Sequence, residues 1–337
     1  MESPLWIDQY QPTLEELPQD EVRETLQHAE SDPINLIVQG PIGCGKTAAV
    51  KALAEEAHDD PENDLLVINV ADFFGMTKDE LSNDPRFATF ISSQRKRSSS
   101  KADLINHVLK ESASYPPVSG NYKTLLLDNA EAIREDFQQA LRRVMEQYYE
   151  ATQFILTTRQ PSKLIPAIRS RCFQVPMRSP TTDEIVKILK SILDNEGVDY
   201  DKEGVEYIAG YTNGNLRKAI TSTQTVAEDV ETITMNTAYE VLSETGRDEM
   251  IETMLEKAEN GEFTDARSIL DDLLVDEGLD GQEVLEEILS IAQTRYANND
   301  LASVYKQAGK IDMDLVHGTN DRLHLSHFLA ALNTMAN

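Results

Sequence analysis

Residues 40–47 read Gly40-Pro41-Ile42-Gly43-Cys44-Gly45-Lys46-Thr47, the pattern G-x-x-x-x-G-K-[ST]. Asn35-Leu36-Ile37-Val38-Gln39 ahead of it reads as a short buried strand, and Ala48 to Ala57 behind it as an alanine-rich helix. A strand that empties into a helix through a glycine-rich turn fixes one strand of an α/β sheet before anything else is known. The chemistry follows from the same residues. Glycines let backbone N–H groups wrap a polyphosphate, and the helix N-terminus adds partial positive charge. Lys46 reaches the β/γ oxygens and Thr47 ligates Mg²⁺. Gly40, Pro41, Gly43, Cys44, Gly45, Lys46 and Thr47 are therefore the expected contacts of a nucleoside triphosphate, with Mg²⁺ as its companion ion.

Around this unit, from Ile34 to about Val175, short apolar strands alternate with helices: Leu36–Val38, Leu65–Asn69, Thr124–Leu127, Phe154–Leu156 and Phe173–Val175. That order implies a parallel sheet with helices on both faces. After Pro176 the strands are expected to stop. Residues 180–229 read as helices broken at Glu196-Gly197 and Thr212-Asn213-Gly214, and the chain from Ile233 onward as helices broken at 260–261 and 277–278. The division expected is 1–177 for the nucleotide-binding domain, 178–232 for a helical lid and 233–337 for a helical C-terminal domain. Residues 76–101 are expected to interrupt the first domain as an exposed loop. They include the basic run Gln94-Arg95-Lys96-Arg97-Ser98-Ser99-Ser100-Lys101, which reads either as a phosphate-backbone contact or as a solvated loop.

The chain has 337 residues, 40% of them hydrophobic, and a formal net charge of −28. No apolar run approaches the roughly 20 residues that span a bilayer, and no signal peptide opens the sequence, so a cytoplasmic protein is expected. Cys44 and Cys172 are far apart in sequence and one sits in the phosphate loop, which argues against a structural disulfide or a two-cysteine zinc site. The acid is spread along the chain rather than gathered in a tail. This suits a salt-rich cytosol, where charges are screened over about 3 Å at 1 M.

A second nucleotide element is Thr124-Leu125-Leu126-Leu127-Asp128, an apolar strand ending in the carboxylate that reaches the Mg²⁺ shell. From there the pattern resembles a family. Asp128-Asn129-Ala130-Glu131-Ala132-Ile133 and Gln138-Gln139-Ala140-Leu141-Arg142-Arg143-Val144-Met145-Glu146 are similar to the D-E-A-D…QQALRR-x-ME segment of replication factor C small subunits. Ser170-Arg171-Cys172 matches the S-R-C motif of that family, and Gly214-Asn215-Leu216-Arg217-Lys218-Ala219-Ile220 resembles its lid segment. Leu5 to Pro12 resembles W-x-x-K-Y-R-P, Asn69 to Asp72 resembles N-A-S-D, and Gly261 to Leu270 with Gly278 to Gly281 resembles the collar helices.

The resemblance implies an AAA+ module, a lid and a collar that assemble with other subunits, in a five-subunit spiral, into a loader of the ring-shaped PCNA clamp onto primer-template DNA. It implies that Arg171 is an arginine finger acting on the nucleotide of a neighbouring subunit. A finger of this kind is worth about 10³–10⁵ in rate. It also implies that Arg217 senses the γ-phosphate in cis, and that Arg142 and Arg143 pass nucleotide state to a neighbour or to DNA, where a solvated rim is the competing reading.

The departures matter as much. Asn129 stands where the family has the glutamate that polarises the attacking water, and an amide cannot accept its proton. Arg159 stands where an asparagine positions that water. Gln9 and Gln11 replace basic residues of the N-terminal motif. Glu131 or Glu135 could in principle serve as base, though both lie past the expected position. These changes point to a subunit that binds ATP and offers Arg171, yet hydrolyses slowly. A self-sufficient AAA+ motor is the alternative, but a ring of identical chains would repeat Asn129 and Arg159 at every site. A metabolic kinase would need an acceptor site, which a helical C-terminal third does not suggest.

Overall fold

A computed structural model describes residues 5–31, 33–87, 90–91, 99–118, 120–244, 247–275, 279–317 and 320–333. The basic residues Arg95, Lys96 and Arg97 and the expected helix break at Gly278 lie outside them. The described chain forms two compact units, Met1–Thr237 and Ala238–Asn337.

The first unit is built on five parallel strands: β1 (Leu36–Gln39), β2 (Leu65–Asn69), β3 (Lys123–Asp128), β4 (Thr152–Thr158) and β5 (Phe173–Pro176), in the order β2-β3-β4-β1-β5. Their apolar residues run almost without interruption because both faces are covered. Alternate side chains go to opposite sides. Ile37, Leu125, Leu127, Phe154 and Leu156 enter a core with Phe73 and Phe137, which is closed by the helices Lys101–Ser114 and Glu135–Tyr148. Leu36, Val38, Leu126 and Ile155 enter the other, where the helices Asp20–Ser31 and Lys46–Ala57 bring Leu26, Val50 and Leu53. Parallel pairing puts all the C-terminal strand ends on one edge of the sheet, and the phosphate loop, Asp128 and Arg159 share that edge.

Two expectations need correction. Residues 76–101 are not simply an exposed loop. Thr77 caps the helix Lys78–Asn83 through a reciprocal box with Glu80. Leu81 and Phe87 are fully buried in the first core, with Ile91 beside them. Strands also do not end at Pro176. Asp199–Tyr200 (β6) pairs in parallel with Thr232–Ile233 (β7), a two-residue ladder too short to leave a periodic signature. The surrounding helices Thr182–Glu196, Lys202–Tyr211 and Leu216–Asp229 begin at the side-chain caps Thr181, Asp201 and Asn215.

The second unit is helical: Arg247–Glu259, Phe263–Val275, Gly281–Arg295, Asn298–His317 and Asp321–Asn333. Ile251, Leu255, Leu270, Ile288, Leu325 and Phe328 fill its core. Asp280 caps the third of these helices in a reciprocal box with Glu283, and the Gly281 N–H donates to Asp321 Oδ2 at 3.0 Å. Among the described residues no helix is long and apolar enough to cross a membrane.

Candidate nucleotide site

The phosphate loop leaves β1 and enters the helix Lys46–Ala57 with Gly43 at φ +70° and Gly45 at φ +96°. Both values lie in the left-handed region that a side chain resists. At Gly45 an added Cβ would meet nothing within 4 Å, so this part of the loop faces open space, as a cradle must. The first turn of the helix carries no acidic residue, which leaves its positive end available to an anion. The loop is fixed at both sides. The Gly40 N–H donates to the Thr158 carbonyl at 3.1 Å, and the Leu216 N–H donates to the Gly43 carbonyl at 3.0 Å. Lys46 is 9% exposed and lies along the loop, its Nζ donating to the carbonyls of Gly40 (2.9 Å) and Pro41 (2.7 Å).

Behind the loop, Thr47 Oγ1 donates to Asp128 Oδ1 at 3.0 Å, and the Thr157 hydroxyl donates to the same oxygen. Two hydroxyls therefore aim the carboxylate that ends β3. A threonine hydroxyl beside an ionised carboxylate is the hard-oxygen donor set that Mg²⁺ takes when phosphates supply the rest. The loop, the ammonium and this pair fit an Mg²⁺-bound nucleoside triphosphate.

Asn129 follows with φ +57° and ψ +47° at the start of the short turn Ala130–Ala132, and its N–H donates to Thr157 Oγ1 at 3.2 Å. Asparagine tolerates this left-handed conformation better than most residues. Arg159, at the end of β4, donates its Nε to Glu131 Oε1 at 3.1 Å and its backbone N–H to Oε2 at 3.3 Å. Burial pushes the Glu131 carboxyl up, but bonds from Thr158, from its own backbone and from Arg159 outweigh it and hold the acid below its ordinary range. Glu131 is therefore engaged by Arg159 and Thr158. Glu135 is exposed in the first turn of its helix.

The remaining expected residues lie elsewhere. Arg217 is exposed in the first turn of the helix Leu216–Asp229, whose Leu216 touches the loop. Arg171 is held by its own chain, with Nη1 donating to the Ala167 carbonyl at 2.6 Å and Nη2 to Glu146. Arg142, one turn before Glu146, lies 3.6 Å from the same carboxylate, while Arg143 is exposed. Gln9 and the Tyr10 hydroxyl both bond Glu196. Burial pushes the Cys44 thiol up and that of Cys172 to about 12, so neither is an activated nucleophile. Sequence reasoning gave no role to Thr157 and named Glu146 and Asn215 only as parts of family motifs. The Thr157 role depends on strand register, and the other two on tertiary packing, so no local pattern marks them.

Comparison with known proteins places these features. The model of the replication factor C C-terminal domain matches residues 247–331, and that of the DNA polymerase III delta subunit matches residues 15–181. The replication factor C small subunit of Archaeoglobus fulgidus is 30% identical, covering 98% of this chain and 98% of its own length. That of Natronomonas pharaonis is 31% identical, covering 97% and 94%. Among solved structures, the Thermotoga maritima RuvB Holliday junction branch migration motor aligns with a TM-score of 0.53 at 16% identity, over 84% of this chain and 91% of that one, a likeness of fold. With full-length relatives at this identity, and with the phosphate loop, the Asp128 strand and the Ser170-Arg171-Cys172 motif in the family's order, the chain belongs to the replication factor C small-subunit family.

Proposed function

We propose that this chain is a subunit of a sliding-clamp loader that binds ATP·Mg²⁺, offers Arg171 to the nucleotide of a neighbouring subunit and turns over its own ATP slowly. Bound ATP·Mg²⁺ would supply the phosphoryl group and the cation that the site is shaped for. Gly43, Gly45 and Lys46 hold the phosphates, Thr47 and Asp128 hold the ion, and Arg217 approaches from the lid. The lid is taken as 178–232, between a nucleotide-binding domain at 1–177 and a collar at 233–337. The partners are the other subunits of a five-subunit loader, a clamp of the PCNA type and primer-template DNA.

The observation that carries slow turnover is the pairing beside Asp128. The position that should polarise water is the Asn129 amide, and the carboxylate two residues on is held by Arg159. Arg171 supports a role in trans because its partners, Ala167 and Glu146, stand apart from this chain's own phosphate loop contacts.

Single-turnover hydrolysis in high-salt buffer tests the reading, comparing the chain alone, Asn129→Glu, and the chain mixed with a hydrolysing small subunit. The lone chain is expected to bind ATP with little turnover, and Arg171→Ala to lower the rate of the mixture by about 10³. Brisk turnover by the lone chain would instead favour a self-sufficient AAA+ motor.

A further inference from the structure

The chain passes from the sheet into the helices Thr182–Glu196, Lys202–Tyr211 and Leu216–Asp229 through residues 177–181, and a second connection runs beside this one. Residues 5–10 belong with those helices. The short helix Trp6–Gln9 packs on Leu216–Asp229, where the buried Trp6 donates its backbone N–H to Gln224 Oε1 at 2.9 Å. Gln9 Nε2 donates to Glu196 Oε1 at 3.1 Å, and the Tyr10 hydroxyl donates to the same oxygen. Residues 14–19 belong with the sheet. Leu14 and Leu17 enter the core that holds Cys44 of the phosphate loop and Met177, and the Leu14 N–H donates to Glu56 Oε1 at 3.0 Å. The buried Gln19 donates its Nε2 to the Arg178 carbonyl and accepts the Arg178 N–H, both at 2.9 Å. Each half is closed on itself, with Gln11 bonding back to the Ile7 carbonyl and the Thr13 N–H donating to Glu16, so the halves meet at Pro12. The helices in turn rest on the phosphate loop. The Leu216 N–H bonds the Gly43 carbonyl, and the Asn215 side chain fills the space beside Gly43.

We propose that residues 5–19 form a strap that holds these helices against the phosphate loop and so sets how fast nucleotide enters and leaves. A nucleotide on the loop is enclosed on that side while the Leu216–Gly43 contact holds, and parting the contact pulls the strap against its two anchors. The anchor in the sheet buries Leu14 and Leu17, whereas Glu196 at the other end is exposed. Apolar burial is the stronger hold, so the strap gives at Glu196 and then at Gln224. The bonds on Glu196 and Gln224 involve no residue of the loop, so they resist opening equally when the loop is filled and when it is free. Gln9, Tyr10, Glu196 and Gln224 are then positioning residues that act through the helices. The inference rests on reading the phosphate loop as a nucleotide site. A tie that only stabilises the unit would leave the rates of entry and exit as they are.

Stopped-flow mixing of the full chain with a fluorescent Mg·ATP analogue in high-salt buffer, followed by a chase with excess unlabelled ATP, gives both rates. The variants are Tyr10→Phe, Glu196→Ala, and Glu196→Ala combined with Gln224→Leu. The control is Lys202→Ala, which breaks an exposed pair with Glu206 on the same helices and touches no strap bond. Glu196→Ala should speed association and release by the same factor, about threefold, and the double variant should do so about tenfold, as first exposed and then buried hydrogen bonds are lost. Tyr10→Phe should raise both rates less than Glu196→Ala does. Kd should stay within about twofold throughout, because a strap changes the path and not the end states. Lys202→Ala should match the unmodified chain. Unchanged rates in the double variant, faster release with association unchanged, or an equal rise in Lys202→Ala would overturn the strap and leave the nucleotide site standing. No binding by the unmodified chain would overturn the site itself, and the strap with it.

Discussion

Gly43 lies against the start of the helix Leu216–Asp229, and replacing it with alanine should have a cost that depends on one distant residue. An ideal Cβ at Gly43 would stand 1.9 Å from Asn215 Oδ1, so the Asn215 side chain must leave. That side chain caps the helix Leu216–Asp229 by accepting the Lys218 N–H at 3.0 Å, and losing such a cap costs about 1 kcal/mol. Displacing Asn215 also strains the neighbouring bond from the Leu216 N–H to the Gly43 carbonyl, worth about 1 kcal/mol. Alanine at φ +70° adds about 1–2 kcal/mol of backbone strain. Gly43→Ala should therefore cost about 3–4 kcal/mol in total. In an Asn215→Ala background the cap is already gone and the clash removed, so the same substitution should cost only the backbone strain. The coupling between the two sites should be about 2 kcal/mol. Trp6 is the single tryptophan and is buried in the first unit, so its fluorescence during urea unfolding reports that unit alone. Additive costs, with a coupling below about 0.3 kcal/mol, would refute the claim that Asn215 and Gly43 compete for the same space.

Two further outcomes use the same fluorescence. The two Nη groups of Arg178 donate to Glu184 at 2.6 and 2.7 Å, and with the Thr181 N–H they hold the Glu184 carboxyl down to about 2 from 4.5. A folded pKa below the unfolded one gives a contribution complete above pH 4.5 and lost as the pH falls toward 2. Because the pair is partly exposed, Arg178→Ala should cost about 1 kcal/mol at neutral pH and nothing near pH 2, and a difference that ignores pH would contradict this. Phe154 is fully buried in the core that faces the helix Glu135–Tyr148, and Phe154→Ala should cost about 3–5 kcal/mol. A loss under about 1 kcal/mol would show that the core collapses around the gap.

Much of the site could be read from the chain because its parts are local. A strand, a glycine turn and a helix announce the phosphate loop, and an apolar run ending in Asp128 announces the carboxylate that meets Thr47. What could not be read depends on register and on packing between distant segments. Thr157 reaches Asp128 only because β3 and β4 align Leu127 with Leu156. Glu131 looked like a spare base, yet it faces Arg159, which lies a strand away. Glu146 read as part of a family motif, and its bond to Arg171 depends on how one helix meets the turn before β5. Leu81 and Phe87 were masked by their polar and basic neighbours, whose composition suggested a loop although the apolar residues between them reach the core.

The position of β1 has a consequence for the birth of the molecule. Its two neighbours are β4 and β5, and Leu36 pairs with Ile155 on one side and Phe173 on the other. While the ribosome works through the intervening residues, the strand that leads into the phosphate loop has both edges bare. The sheet cannot close around it until β5 has emerged. Pairings this far apart in sequence are slow to form, and exposed strand edges invite contact between nascent chains. Completion of the nucleotide site therefore waits until Pro176 has been made, and until then the helices on either face have to shelter β1.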